Sequence, residues 1–81
     1  MENKLIPTGN GTFVAKERIL SIGAPGTAPL KRLVGEYEKR NKLIDFTYGK
    51  TTRSFIFMDN GTVIRSTIAP ETISTRFNHE E

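Results

Sequence analysis

Phe55-Ile56-Phe57-Met58-Asp59-Asn60-Gly61-Thr62-Val63-Ile64-Arg65-Ser66 is the stretch on which the fold turns. Two runs of β-branched and aromatic residues flank an Asn-Gly pair, the pattern of an antiparallel hairpin. A two-residue type I′ turn needs φ > 0 at both central positions, and Asn60-Gly61 tolerates that best. This turn sets Met58 opposite Val63, Phe57 opposite Ile64, Ile56 opposite Arg65 and Phe55 opposite Ser66. Directly opposed residues share a face. Phe55, Phe57 and Ile64 then line one face together with Ile68, and Ile56, Met58 and Val63 line the other beside Arg65. Both faces need a cover. A long helix can supply the first, and the last helix or a second subunit the second. The expected cover of the second face is another subunit, with Ile56, Met58 and Val63 as its contact.

A second Asn-Gly pair, Asn10-Gly11, lies between Leu5-Ile6-Pro7-Thr8-Gly9 and Thr12-Phe13-Val14-Ala15 and predicts an N-terminal hairpin. Pro7 cannot donate to a ladder, so its strand belongs at an edge. Both pairs also match the Asn-x-Thr glycosylation pattern, which a chain without a secretory signal has no use for. Ile19-Leu20-Ser21-Ile22 reads as a short strand closed by Gly23-Ala24-Pro25-Gly26. A helix follows, with Thr27 at the N-cap and Pro29 in the first turn, where its structural role is to start the helix. Leu30, Leu33, Val34 and Tyr37 form its apolar stripe, and Glu36 and Arg40 are spaced as an ion pair. Gly35 in mid-helix implies a close approach to the sheet. Asn41 ends the helix.

A strand over 43–48, a loop over 49–52 and the second hairpin come next. Pro70 then opens a short helix with Ile73 and Phe77 at i, i+4. The order ββ–β–α–β–ββ–α defines an α+β domain with a mainly antiparallel sheet, one long helix and one short helix. Its 81 residues make one domain over 1–77, with a polar, acidic and disordered tail over 78–81. A chain this short buries only ~60% of its unfolded surface. It contains no Cys, which removes disulfides and thiolate metal sites as stabilisers. Self-association is the remaining source of burial. No apolar run approaches the ~18 residues of a membrane span, and the N-terminus lacks a signal-peptide layout, so the expected location is cytoplasmic.

Nothing in the chain assembles into catalytic machinery. The single His79 sits in the tail, the carboxylates do not pair, and no His/Asp/Glu cluster has metal-ligand spacing. Neither metal nor cofactor is expected. Gly49-Lys50-Thr51 echoes the end of a phosphate-binding loop, but position 44, where that motif needs glycine, is Ile in a strand. The cations are more informative. Net charge is +3, with 12 Lys+Arg against 9 Asp+Glu. Lys16 and Arg18 precede a strand, and Lys50 and Arg53 flank the Tyr48-Gly49 turn. Lys31 and Arg32 oppose the macrodipole at a helix N-terminus. A local misfit of that kind leaves two readings open, a plain solvated basic face, which composition alone favours, and another use such as phosphate contact.

Leu43-Ile44-Asp45-Phe46-Thr47-Tyr48-Gly49, Thr52-Arg53, Met58-Asp59 and Pro70-Glu71-Thr72 with Arg76 form an ordered series, and Arg18-Ile19-Leu20-Ser21-Ile22 and Ala28-Pro29-Leu30-Lys31-Arg32 extend it. With these residues the chain resembles the RemA family of bacterial extracellular-matrix (biofilm) regulators, from about Lys4 to Phe77. The resemblance implies a transcriptional regulator binding double-stranded DNA through a module similar to the LytTR type. It also implies homo-oligomeric rings, octamers among them, around which DNA wraps. The family's DNA-contacting positions fall on Arg18 and on the turn after Tyr48-Gly49, where relatives carry two successive arginines and this chain carries Lys50-Thr51. Lys lacks the bidentate fork of Arg. Asn10 stands in place of an apolar residue, and Gly26 where an acidic one is common. Pro29 matches the family pattern, and Gly49, Asn60 and Gly61 serve as turn residues. The expectation is therefore a ring presenting Arg18, Lys50 and Arg53, with Lys31 and Arg32, on one rim. The competing reading is a non-enzymatic oligomeric adaptor without nucleic-acid binding.

Overall fold

The computed structural model describes residues 4–79. In chain order it forms β1 (Leu5–Gly9), β2 (Thr12–Ala15), a single 3-10 turn (Lys16–Arg18), β3 (Ile19–Gly23), α1 (Ala28–Lys39), β4 (Leu43–Asp45), β5 (Ser54–Met58), β6 (Val63–Ser66) and α2 (Pro70–Asn78). β3, β5, β6 and β4 form a four-stranded sheet in that spatial order, and β1 and β2 pair as a separate hairpin. β3–β5 and β5–β6 are antiparallel, and β4 lies parallel to β6. The architecture is the expected α+β domain with a mainly antiparallel sheet and two helices.

The two Asn-Gly pairs turn the chain differently. At the first, Asn10 (φ 57°) and Gly11 (φ 77°) both adopt positive φ, as a type I′ turn requires. Thr8 is an extra residue in β1, since Pro7 opposes Phe13 while Gly9 opposes Thr12. At the second pair Gly61 (φ 84°) has positive φ but Asn60 does not. The amide of Gly61 donates to the Met58 carbonyl (3.2 Å) and that of Met58 to the Thr62 carbonyl (2.9 Å). This is a three-residue loop, a type I turn followed by a left-handed glycine. The Asn60 side chain holds it, its Oδ1 accepting from the Thr62 amide (3.2 Å) and hydroxyl (2.7 Å).

The extra loop residue moves the register by one from the expected pairing. Phe57 opposes Val63, Ile56 opposes Ile64, Phe55 opposes Arg65 and Ser54 opposes Ser66. Ile64 therefore leaves the face of the phenylalanines and joins Ile56, while Val63 crosses to Phe55 and Phe57. Phe55 and Val63 pack with Val34 of α1, with Leu30, Tyr37, Leu43 and Phe57 around them. The Tyr37 and Phe57 rings meet edge to face at 5.6 Å. On the opposite face Ile56 and Ile64 pack with Ile6 and Val14 of the hairpin and Ile73 of α2.

The chain thus covers both sheet faces itself, as three layers. Ile56 and Val63 are fully buried, on opposite faces, so neither can be the subunit contact expected of them. Met58 is half-buried against the Ile56 cluster. Apolar residues on both faces of this hairpin do require cover, and α1 on one side and the β1–β2 hairpin with α2 on the other provide it.

Other local features also differ from the sequence reading. The strand expected over 43–48 ends at Asp45. Leu33 drops out of the α1 stripe at 46% exposure. A Cβ at Gly35 would meet nothing within 4 Å, so no close approach explains that glycine. Glu36 pairs with Lys39 (3.7 Å) rather than with Arg40. Thr27 caps α1 through its carbonyl, which accepts from Lys31 N (3.0 Å), and makes no side-chain cap bond. α2 begins at Pro70 as expected and runs through Asn78, into the segment expected to be tail; Glu80 and Glu81 lie outside the described residues.

Ser54 and Ser66, opposed in the sheet and both fully buried, differ in their bonding. Ser66 Oγ donates to the Thr8 carbonyl (2.8 Å), tying the hairpin to the sheet, and accepts from Ile68 N (3.1 Å). Ser54 Oγ has no hydrogen-bond partner among the described residues. Ser66→Ala leaves two backbone groups unpaired and is expected to cost about 1–3 kcal/mol. At about 4–8 °C per kcal/mol for a domain of this size, calorimetry will resolve that loss. Ser54→Ala is expected to leave the unfolding midpoint unchanged or raise it.

Candidate nucleic-acid interface

The sheet has two ends, and the cations divide between them. β3 and β6 finish, and β5 begins, at the same end, where Ser54 opposes Ser66 and Gly23 opposes Phe55. β4 also ends here, at Asp45 opposite Arg65. Arg53 leads directly into β5, its amide donating to the Ser66 carbonyl (2.8 Å). The first turn of α1, with Lys31 and Arg32, starts here too, because Leu30 lies 3.1 Å from where a Cβ on Gly23 would sit. Lys31, Arg32, Lys50 and Arg53 are all exposed.

The turn carrying Lys50 is built from both flanks. Asp45 Oδ1 accepts from the Thr47 amide (2.8 Å) and hydroxyl, closing the chain just after β4. Tyr48 (φ 53°) and Gly49 (φ 82°) then take left-handed conformations, and the Lys50 amide donates to the Thr47 carbonyl (3.0 Å). For Tyr that conformation is uncommon and must be imposed by its surroundings. On the other flank Asn10, at the hairpin tip, donates from Nδ2 to the carbonyls of Phe46 (3.0 Å) and Thr47 (3.3 Å). Its Oδ1 accepts from Lys50 Nζ (3.1 Å). Tyr48 is 71% exposed. Arg65 lies behind the turn, 3.7 Å from Asp45 Oδ2 and bonded through Nε to Thr52 Oγ1 (3.2 Å).

Arg18 lies at the other end. Its carbonyl accepts from the Asp59 amide (2.8 Å), and its guanidinium meets Asp59 Oδ2 at 3.2 Å while remaining 68% exposed. The five residues of β5 lie between Arg53 and the level of Arg18, six steps or about 20 Å at ~3.3 Å per residue. Within one subunit Arg18 therefore lies at the opposite end of the sheet from Arg53. At the Arg18 end, a cavity of about 350 Å³ between the hairpin and α2 is lined by Lys4, Lys16 and Arg76. Lys16 also lies over the Phe77 ring, 5.1 Å from its centroid.

Sequence reasoning found the cations but missed Tyr48 and Asn10. Tyr48 looked like the end of a strand, and its exposure depends on β4 stopping three residues earlier. The Asn10 bonds span 36 to 40 residues of chain, and no local pattern signals them.

Among the described residues no group of three His, Cys, Asp or Glu side chains could hold a metal ion, and no helix is long and apolar enough to cross a membrane. What the described residues offer is a small three-layer α+β module with exposed cations at both ends of its sheet. Residues 5–77 match the family described as extracellular matrix regulatory protein A-like (RemA-like), and the chain belongs to that family. A protein of Carboxydothermus hydrogenoformans is 46% identical over 81 residues, covering 100% of this chain and 93% of that protein. One from Synechococcus sp. (strain JA-2-3B'a(2-13)) is 46% identical over 77 residues, covering 95% and 86%. Each bears the name "Putative regulatory protein", which denotes regulation rather than catalysis.

The Thr47 hydroxyl, and after it the Thr47 amide, hold the Asp45 carboxyl below the usual carboxylate range; burial works against them, and Arg65 adds a lesser lowering effect. A carboxyl with a lower pKa in the folded than in the unfolded state stabilises the fold above its unfolded value, near 3.9, and loses that contribution as pH falls through the folded value. Thermal unfolding of the wild type is therefore expected to drop as pH is lowered below about 4. Asp45→Asn, which keeps an acceptor for Thr47 but has no proton to gain, is expected to show a shallower decline over the same window.

Proposed function

We propose that this chain is a transcriptional regulator that binds double-stranded DNA as a closed homo-oligomeric ring, an octamer in the reading the family suggests. In this reading the domain is a LytTR-like module and the regulated genes are those of the extracellular matrix. The observation that carries the proposal is the group Lys31, Arg32, Lys50 and Arg53 at one end of the sheet. All four are exposed, and none is paired with a carboxylate among the described residues. Cations left open to solvent on rigid turns are suited to phosphate, and contacts of this type position a protein on a duplex without reading bases. Readout then falls to the shape and deformability of the DNA. Arg18 supplies a second basic track at the opposite end of the sheet, about 20 Å away along the strands at ~3.3 Å per residue. A cytoplasmic location accords with such a partner.

Assembly needs a surface other than Ile56 and Val63. Leu5 opposes Ala15 and Pro7 opposes Phe13, so these four share the outward face of the hairpin. Leu5 is 63% and Phe13 54% exposed. An exposed face composed only of apolar residues is the mark of an association site. The same face supports the second reading, an adaptor that docks another protein there and ignores nucleic acid.

Light scattering after size exclusion, with and without a duplex, separates the two. The regulator is expected to run as one discrete oligomer and to bind duplex cooperatively, with a log–log salt slope of roughly −0.9 for each neutralised phosphate. Arg18→Ala and Arg53→Ala are each expected to weaken binding about tenfold, one phosphate contact's worth of ~1.4 kcal/mol, with unchanged oligomer mass. Phe13→Asp is expected to dissociate the oligomer. If both arginine variants bind as the wild type does, the site assignment fails. A monomer that leaves duplex unretarded at low salt leaves the adaptor.

A further inference from the structure

We infer that Asn10 is a positioning residue that braces the 46–50 turn and holds the Lys50 ammonium ready for a DNA phosphate. The inference rests on the DNA-binding reading above and extends it to a residue on a different sheet. The Asn10 carboxamide makes three contacts at once, two through Nδ2 to the Phe46 and Thr47 carbonyls and one through Oδ1 from Lys50 Nζ. These partners settle which way the amide faces, since carbonyls require the NH2 and an ammonium requires the oxygen. They also span the turn. The two carbonyls precede the left-handed Tyr48 and Gly49, and the ammonium follows them.

Each contact contributes to phosphate capture. An ammonium has three N–H donors; Asn10 occupies one and leaves two for phosphate oxygens. A neutral acceptor restrains the long lysine side chain without cancelling its charge, as a carboxylate would. Restraint before binding reduces the rotamer entropy lost on binding. The Asn10 position itself suits the task. Its φ of 57° within the type I′ turn is one that Asn tolerates and that most residues with a carbonyl-capable side chain do not. Lys cannot grip phosphate with the two-pronged fork of Arg, and a fixed donor direction offsets part of that loss.

The test uses Asn10→Gly, which keeps the positive φ of the turn and removes only the carboxamide, together with Lys50→Ala and the double variant. Duplex affinity at fixed salt is measured on samples whose oligomer mass matches the wild type. Asn10→Gly is expected to weaken binding about five- to tenfold, and the double variant to bind no more weakly than Lys50→Ala. In hydrogen exchange the Lys50 amide of Asn10→Gly is expected to exchange faster, while amides of β5 and β6 keep wild-type rates. Wild-type affinity in Asn10→Gly, or losses that multiply in the double variant, would overturn the positioning role. If wild type itself binds no duplex, the DNA reading falls and the phosphate role of Asn10 falls with it. In that case unchanged Lys50 exchange would also remove the brace, and accelerated exchange would leave a purely structural one.

Discussion

β5 is apolar on both of its sides, and the rest of the molecule is arranged around that fact. Ile56 points to one face of the sheet and Phe55 and Phe57 to the other, and β5 is central, hydrogen-bonded to β3 and β6. A strand so placed is stable only when both sheet faces are shielded from water. α1 shields one face and the β1–β2 hairpin with α2 shields the other. At ~25 cal/mol per Å² of apolar area removed from water, these two covers supply most of what a domain of this size has to offset its chain entropy. The functional surface follows from the same arrangement. Covering the faces pushes the charged residues to the two ends of the sheet, where the connecting turns lie.

Much of this was legible in the chain. The hairpins, both helices, the proline starts at Pro29 and Pro70 and the class of fold all follow from turn chemistry and periodicity, because those signals are local. Register was not legible. Asn-Gly supports a two-residue turn with both residues at positive φ, and equally a three-residue loop with only the glycine there. The N-terminal pair takes the first form and Asn60-Gly61 the second, where the Asn60 side chain folds back onto Thr62 and the Asp59 amide is drawn to the Arg18 carbonyl. The latter bond goes to the 3-10 turn 41 residues earlier in the chain, beyond any local rule. A single inserted loop position then exchanges Val63 and Ile64 between faces, and with them the residues available for contact between subunits.

The candidate site divides along the same line. Which cations are exposed could be anticipated, since Lys and Arg outside apolar stripes rarely bury. Their grouping could not, because it depends on which strand ends lie together. The parallel pairing of β4 with β6 brings Asp45 beside Arg65 and sets the Tyr48 turn at the end of the sheet that α1 also starts from. Antiparallel pairing of β3 with β5 sends Arg18 to the far end. Topology, more than composition, decides which positive charges can act together.

The hairpin is a separate two-stranded sheet, fastened to the body by Ile6 and Val14 in the shared cluster, by Ser66 and Arg76 bonding to the Thr8 and Pro7 carbonyls, and by the carboxamide at its tip. It continues into the body through a short 3-10 turn and shares no strand ladder with the larger sheet. Its detachment would break side-chain contacts but leave the four-stranded ladder intact, which makes it a natural unit of sub-global opening. While detached it would uncover the sides of Ile56 and Ile64 that pack against Ile6 and Val14. The lifetime of the native protein against proteases and self-adhesion then depends on how firmly the hairpin over residues 5–15 stays closed, and not on the central strands alone.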